Sequence, residues 1–210
     1  MKLSQHLKFA KFLIESRSPG SIYRVMDIEE LLYLIRDKVW KLTDNKFENM
    51  DIDDNVMNDS QKNVKKLQNS LVYKKNKEYP YSRSFARSLR PGLIQNHFDP
   101  DVSVIVEFDK EALSNIRDAQ ITPIDYQPYG KANKFGNEME DRLYSKNGVI
   151  KLPEKYNLSN LIKTIYISED LADELAGNVR VMRNKYGLNV KIIPWMEDYS
   201  KLNLAMMNRL

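Results

Sequence analysis

The chain has 210 residues, enough for one domain with a buried core, and its 33 basic and 29 acidic residues give a net charge of +4. It has no cysteine and only two histidines, which excludes a disulfide scaffold, a thiolate metal site and a thiol nucleophile, and we expect no metal centre. No apolar run approaches the ~20 residues that a membrane-spanning helix needs, so we expect a cytoplasmic protein without membrane contact.

The N-terminal part of the chain predicts two helices around a short strand. The apolar spacing over Lys2–Glu15 predicts a helix that ends at Ser18–Gly20, and Ser21–Met26 predicts a strand. Asp27 followed three residues later by Glu30 is a capping-box pattern that predicts a second helix. The apolar face of that helix is formed by Ile28, Leu31, Leu32, Ile35 and Val39.

Residues 43–78 form a polar and strongly charged segment. Acidic residues dominate Thr43–Asp59, and basic residues dominate Gln61–Arg90. This asymmetry indicates an anion-binding face or a solvated loop. We expect a charged insertion or mobile loop with a helix near Gln61–Leu71.

The second half of the chain predicts mostly strands. They are expected at Tyr81–Phe85, Val102–Asp109, Ile121–Tyr129, Asn160–Ile167 and Val190–Ile193. Pro194 is expected to end the last strand, and one late helix is expected between Ser168 and Gly187. Helices followed by strands predict an α+β fold, which we interpret as a single domain over residues 1–210.

Two short clusters combine residues suited to binding phosphate or orienting a carboxylate. Tyr23-Arg24 places an arginine in an apolar strand, where it holds either a phosphate or a structural carboxylate. The segment Tyr81–Arg90 combines hydroxyls, guanidiniums and aromatic rings. It fits a catalytic or cofactor site, a basic surface strand, or a strip that binds nucleic acid.

The third cluster is Asn137–Arg142, which contains two glutamates two residues apart. In a strand, Glu138 and Glu140 share one face at about 7 Å. In a helix, Glu138 and Arg142 instead form an i,i+4 ion pair. The sequence leaves both interpretations open.

Taken in chain order, Arg24, Ser82 or Ser84, and Glu138-x-Glu140 resemble the arginine–serine–glutamate signature of mono-ADP-ribosyltransferases. They resemble most the small ADP-ribosyltransferase-like proteins of tailed bacteriophages. The segments Val104–Leu113 and Leu152–Tyr156 also resemble that group. The resemblance covers about Ile22–Ile193, most of the chain.

This resemblance implies a split β-sheet core, NAD as cofactor, and catalysis by a glutamate. It implies that Glu140 binds the ribose 2′-hydroxyl, Glu138 acts as general base, and Ser84 orients Glu140. It implies that Arg24 contacts the NAD phosphates or braces the site. The remaining residues that it implies for NAD binding are Tyr23, Tyr81, Ser82, Phe85 and Arg87, with Tyr81 or Phe85 stacking on nicotinamide.

The serine motif departs from the family pattern in either register. Ser82-Arg83-Ser84 places a bulky arginine in the middle, and Ser84-Phe85-Ala86 lacks the last hydroxyl. Ser84 belongs to both registers. A poorly oriented glutamate loses catalytic geometry, so the fold could persist without the reaction.

The sequence therefore leaves several functions open. The first is transfer of ADP-ribose to a host protein or nucleic acid, with arginine as the expected acceptor. The second is a catalytically degenerate relative that inhibits a host defence factor, such as a DNA-modifying toxin of the DarT type. The third is a nucleic-acid-binding module on Lys62–Arg90. A magnesium nuclease using Glu138, Glu140 and Asp141 is weaker, because the flanking arginine disfavours a metal.

Overall fold

A computed structural model describes residues 20–45, 71–88, 101–124, 140–168, 181 and 184–195. The helices within these ranges are α1 (Ile28–Asp37), α2 (Leu71–Glu78) and α3 (Lys110–Ser114), with a 3-10 turn at Leu158–Asn160. The strands are β1 (Ser21–Asp27), β2 (Val39–Lys41), β3 (Thr43–Asp44), β4 (Tyr81–Ala86), β5 (Ser103–Asp109), β6 (Ala119–Pro123), β7 (Glu140–Ser145), β8 (Val149–Lys151), β9 (Ile162–Ser168) and β10 (Lys191–Trp195). The predicted α+β class is confirmed.

Eight of the strands form one sheet, in the order β10-β9-β5-β1-β4-β7-β6, with β3 paired to β4. The pairs are antiparallel except for β9 and β10. Long ladders join β1 to β5 and β4 to β7, but β1 and β4 share one registered pair, Tyr23 opposite Ala86. The sheet thus consists of two halves that meet at this pair, which we call the junction.

The two faces of the sheet differ because side chains alternate along each strand. On one face, the core face, apolar residues such as Val106 and Leu143 belong to the same hydrophobic cluster as buried residues of α1. Trp40 stacks on Phe108 with ring centroids 5.1 Å apart, and Phe85 meets both rings edge-on. The opposite face, the polar face, carries serine, tyrosine and glutamate side chains at the intervening positions.

Helix α1 begins where predicted, but without the predicted capping box. Asp27 is at the N-cap position in an extended conformation, and its side chain accepts no capping hydrogen bond. The carboxylate of Glu30 instead accepts a 2.8 Å hydrogen bond from Nε1 of Trp40 and pairs with Arg24 at 3.3 Å. The capping-box prediction is wrong because tertiary contacts occupy this glutamate.

Most predicted strands are confirmed, with shifts of one or two residues at their ends, and the prediction for Pro194 is wrong. This proline lies inside β10 rather than after it. Among the described strands β10 is the outermost on its side, and edge strands are where a sheet tolerates proline, which has no N–H to donate to a ladder. The outermost strand on the other side, β6, ends in a second proline, Pro123.

The late helix is described in part. Ser168 is the last residue of β9 rather than the start of the helix, and residues 181 and 184–186 are helical. Gly187 follows with a φ of +64°, as expected of a glycine that ends a helix.

Other predictions fall wholly or partly outside the described residues. They are the helix at Lys2–Glu15, most of the charged segment, of which β3 and α2 are described, and the strand expected at Ile121–Tyr129, of which residues 121–123 belong to β6 and residues 125–129 are outside the description. Within the described ranges, no helix has both the length and the apolar composition to cross a membrane.

Candidate functional site

Ser84 and Glu140 meet on the polar face, across the ladder between β4 and β7. The register places Ser84 opposite Arg142 and Ala86 opposite Glu140, so these side chains share one face. Oγ of Ser84 donates a 2.6 Å hydrogen bond to Oε1 of Glu140. The fold therefore brings together the serine and the glutamate that the sequence motifs indicated.

Arg142 makes this pair a site of three residues. Its Nε donates to the same Oε1 of Glu140 at 2.8 Å, and the Arg142 and Glu140 side chains are only 8% and 10% exposed. Both donors bind Oε1, so Oε2 has no donor in the part of the chain that the structure describes. Among the described residues, the carboxylate is thus held through one oxygen only.

Residues 140–145 form a strand, so the predicted helix with an i,i+4 pair to Arg142 is wrong for this segment. Glu138, the predicted general base, lies outside the described residues. Glu140 and Asp141 are consecutive in the strand and point to opposite faces, which does not suit a shared magnesium site. Among the described residues there is no group of three or more potential metal ligands.

Arg24 lies at the junction, but its side chain is on the core face rather than beside the Glu140 carboxylate. Its Nη1 donates a 3.1 Å hydrogen bond to the backbone carbonyl of Ser84, and its Nη2 pairs with Glu30. Because β1 and β4 form no ladder beyond Tyr23–Ala86, the guanidinium supplies a donor that a neighbouring strand would otherwise provide. This geometry favours the bracing role of Arg24 over contact with the NAD phosphates.

A buried ion cluster lies next to Glu140, on the core side of β7. The Asp141 side chain is 0% exposed, and it accepts from Nε of Arg87 at 3.0 Å and from Nζ of Lys110 at 2.7 Å. Nη2 of Arg87 also donates to the backbone carbonyl of Glu140 at 3.2 Å. Both cations are 35% exposed, so one buried carboxylate holds two half-exposed positive charges.

The two aromatic rings expected to stack on nicotinamide lie on the core face. Phe85 is 2% exposed, and Tyr81 packs against the core, where a Cβ added at Gly148 would meet its ring at 3.1 Å. Both positions alternate with Ser84, so stacking beside the Ser84 hydroxyl is closed to them. Tyr23, which is also buried, is the aromatic residue at the junction that shares the polar face.

The side chains of Ser82 and Arg83 form hydrogen bonds with other residues of the fold. Oγ of Ser82 donates to Oδ1 of Asn45 at 2.5 Å, away from Glu140. Nε of Arg83 donates to the backbone carbonyl of Lys41 at 2.9 Å and lies 3.6 Å from the Glu30 carboxylate. These inward contacts of Arg83 do not favour a nucleic-acid strip along β4.

A second buried carboxylate, Glu107, lies on the polar face of β5. It accepts hydrogen bonds from Oγ of Ser21 at 2.7 Å and from the Tyr166 hydroxyl at 3.4 Å. Burial, followed by the charge of Glu107, raises the pKa of Tyr166, so this phenol keeps its proton and remains a donor at neutral pH. Nζ of Lys163 donates to Ser21 at 3.2 Å. Among the described residues, Glu107 is held by these hydroxyl donors and not by a direct ion pair.

Arg142, Lys110 and Glu107 were not predicted as site residues. Strand alternation was the available signal for Arg142, which comes two residues after Glu140. The same alternation separates Glu107 from its apolar neighbours in β5. Lys110 gave no local signal, because its partner Asp141 lies 31 residues away in the chain.

Comparison with known proteins does not assign a family. No protein-family model, no curated protein and no solved structure matches this chain. The resemblance to ADP-ribosyltransferases stays a prediction from sequence motifs, and function is inferred below from the side-chain geometry.

Proposed function

We propose that this chain is an NAD-dependent mono-ADP-ribosyltransferase of phage type, with Glu140 as its catalytic carboxylate. The observation that carries the proposal is the 2.6 Å hydrogen bond from Ser84 to Glu140. The division of the sheet at the junction and the brace from Arg24 to the Ser84 carbonyl also support it. The proposed acceptor is a host protein or nucleic acid, with an arginine side chain as the first candidate.

When bound, NAD supplies an N-glycosidic bond, whose cleavage releases nicotinamide with the bonding electron pair and leaves ADP-ribose for the acceptor. Positive charge develops at the ribose carbon, and the fixed negative charge of Glu140 stabilises it. Oε2 of Glu140 is suited to accept a hydrogen bond from the ribose 2′-hydroxyl. The acceptor loses one proton as it bonds to that carbon, and Glu138 is the proposed base.

Arg142 favours a second candidate function. Its guanidinium lies 2.8 Å from Oε1 of Glu140 in a nearly buried pair. The positive charge of the guanidinium offsets the negative charge of the carboxylate. A neutralised carboxylate stabilises a neighbouring positive charge less well. The second candidate is therefore a protein that keeps the fold, has lost transfer, and binds and inhibits a host defence factor.

Nicotinamide release distinguishes the two candidates. The protein is incubated with labelled NAD and a bacterial lysate, beside Glu140→Gln and the control Glu154→Gln, which makes the same change at an exposed glutamate. For a transferase, we expect Glu140→Gln to lower nicotinamide release and label transfer by about 100-fold or more, with Glu154→Gln unchanged. No release by the wild type, together with capture of a defence factor, would establish the inhibitor instead.

A further inference from the structure

The two-stranded sheet of β2 and β8, which we call the ribbon, has one face in the core and one face in solvent. Trp40 of β2 pairs with Ile150 of β8, and Trp40 stacks on Phe108 of the large sheet. The pairs on either side of Trp40 and Ile150 alternate with them, so they lie on the opposite face. They are Val39 with Lys151 and Lys41 with Val149. The outer face of the ribbon therefore points away from the large sheet and from its polar face.

The excess positive charge of the chain is concentrated on and beside this ribbon. Residues 33–41 and 146–155 contain six basic and two acidic residues, so these two stretches alone match the net charge of +4 of the whole chain. Lys41 and Lys151 are exposed, and they form no ion pair within the described residues. Their registers make them diagonal neighbours about 7–8 Å apart on the outer face. Such a surface suits an anion whose charge extends over several groups.

A tyrosine ring adjoins these cations. Tyr33 is 49% exposed, although it belongs to α1, whose other face is buried in the core. Cζ of Arg36 lies 5.1 Å from the centroid of the Tyr33 ring, and Nζ of Lys41 lies 5.7 Å from it. A half-exposed ring beside two cations combines a surface for stacking with groups that bind phosphate.

A second tyrosine with its own lysine lies near Arg36. Nζ of Lys185 is 5.5 Å from the ring centroid of Tyr186. The hydrogen bonds from Arg36 to Asp37 and the charge of Asp37 raise the pKa of Arg36, and Tyr33 and Tyr186 raise it further, so both phenols lie near this guanidinium. The ribbon is thus bordered by two rings, each with a cation beside it.

We infer that the outer face of the ribbon, together with Tyr33 and Tyr186, binds a single-stranded nucleic acid. Lys41 and Lys151 bind its phosphates, and Tyr33 stacks on an unpaired base. An acidic peptide would pair with the lysines but would leave the rings unused. A duplex keeps the faces of its bases inside the stack, so the tyrosines favour the single strand.

This face differs in position from both sites considered above. None of its residues belongs to Lys62–Arg90, the basic segment in which the sequence indicated a nucleic-acid-binding module. It is also on the opposite side of the large sheet from the Glu140 carboxylate, because the ribbon packs on the core face. The inference therefore does not depend on the proposed transfer of ADP-ribose.

The test measures binding of a fluorescein-labelled oligothymidylate of about 20 nucleotides by fluorescence anisotropy over a range of NaCl concentrations. Lys41→Gln/Lys151→Gln removes two phosphate contacts. We expect this variant to bind at least about tenfold more weakly, with a slope of log K against log salt that is shallower by about 1.4. Tyr33→Leu removes the ring and keeps the charge, so we expect a loss of about fivefold or more with an unchanged salt slope.

The matched control is Lys77→Gln/Arg117→Gln, which removes two positive charges from exposed side chains away from the ribbon. We expect it to bind nearly as tightly as the wild type. No binding by the wild type, or equal weakening in the control, would overturn the inference, since the latter would show attraction to net charge alone. Glu140→Gln is expected to bind the oligonucleotide like the wild type, so loss of transfer and loss of this binding are separable.

Two competitors test the choice of partner. The unlabelled duplex of oligothymidylate with oligodeoxyadenylate is expected to compete more weakly than the single strand. Equal competition by the duplex, together with unchanged binding by Tyr33→Leu, would show recognition of phosphate alone and would overturn the stacking role. A polyglutamate peptide that displaces the oligonucleotide at the same concentration of charge would overturn the inference in favour of an acidic protein partner.

Discussion

The hydrogen bond between Ser84 and Glu140 predicts a measurable coupling in stability, whether or not the chain transfers ADP-ribose. The perturbation is Ser84→Ala, which removes one hydroxyl from a strand that already has alanine two positions later, at Ala86. The second change is Glu140→Ala, which removes the acceptor. A double-mutant cycle over these two changes isolates the interaction between them.

The expected coupling follows from the geometry. The 2.6 Å distance is typical of a hydroxyl that donates to a charged carboxylate, and hydrogen bonds to charged groups contribute about 1.5–3 kcal/mol. Water cannot readily replace the lost donor, because the Glu140 side chain is 10% exposed. Arg142 shares the same oxygen and limits the loss, so we expect a coupling of about 1.5–2 kcal/mol. The corresponding fall in Tm for Ser84→Ala is roughly 3–8 °C.

The assay is denaturant unfolding of the four proteins of the cycle, followed by far-UV circular dichroism. The control cycle replaces Ser84→Ala with Ser114→Ala, since the Ser114 hydroxyl donates to the Lys110 carbonyl and is far from β7 in sequence and register. We expect the control changes to be additive. A Ser84–Glu140 coupling within about 0.3 kcal/mol of zero would refute the hydrogen bond and the orienting role derived from it.

Three further changes test other parts of the fold by thermal or denaturant unfolding. Phe85→Ala should cost about 3–5 kcal/mol because the ring fills the core; a loss below about 1 kcal/mol would show that the ring is not buried. Gly187→Ala should cost about 1–2 kcal/mol, entirely through its φ of +64°, because a Cβ there meets no atom within 4 Å; an unchanged Tm would contradict that backbone conformation. Asp109 caps α3 through Ala112 and pairs with Lys163, so Asp109→Ala should cost about 1 kcal/mol at neutral pH. Burial alone would raise the pKa of Asp109, but its hydrogen bonds and Lys163 hold that pKa below the usual value. The stabilisation by Asp109 should therefore be present above about pH 4 and be lost as the pH falls. An Asp109→Ala cost that does not change with pH would contradict this.

Local patterns predicted the strands well, because apolar and polar residues alternate along the sequence of a strand that is buried on one face. Val104, Val106 and Phe108 show it in β5, and the structure places all three in the core. The same rule, applied to β4, already separates Ser84 from Phe85. The prediction that Ser84 orients Glu140 while Phe85 stacks on nicotinamide did not take into account that consecutive strand residues face opposite ways.

The failures come from contacts that local sequence does not encode. The capping-box pattern at Asp27 was valid as local chemistry, but Glu30 bonds Trp40 and Arg24 instead. The motif placed Arg24 near Glu140, and the single-pair junction puts its side chain on the other face. Lys110 could be found only once the strand order had brought β7, with Asp141, near the end of β5. The Ser84–Glu140 pair was predicted because a family motif carries long-range information that periodicity lacks.

The prolines in the two outermost strands have a consequence for how copies of this protein meet in the cell. An exposed strand edge offers free N–H and C=O groups and can recruit the edge of another molecule, which is a common route to aggregation. Proline has no N–H, so neither Pro123 in β6 nor Pro194 in β10 can donate to an added strand. Ile124 donates inward to the Glu140 carbonyl, so the nitrogen of Pro123 lies on the outer edge of β6 and interrupts the row of donors there. Growth by adding strands is therefore opposed at the β6 edge of the described sheet.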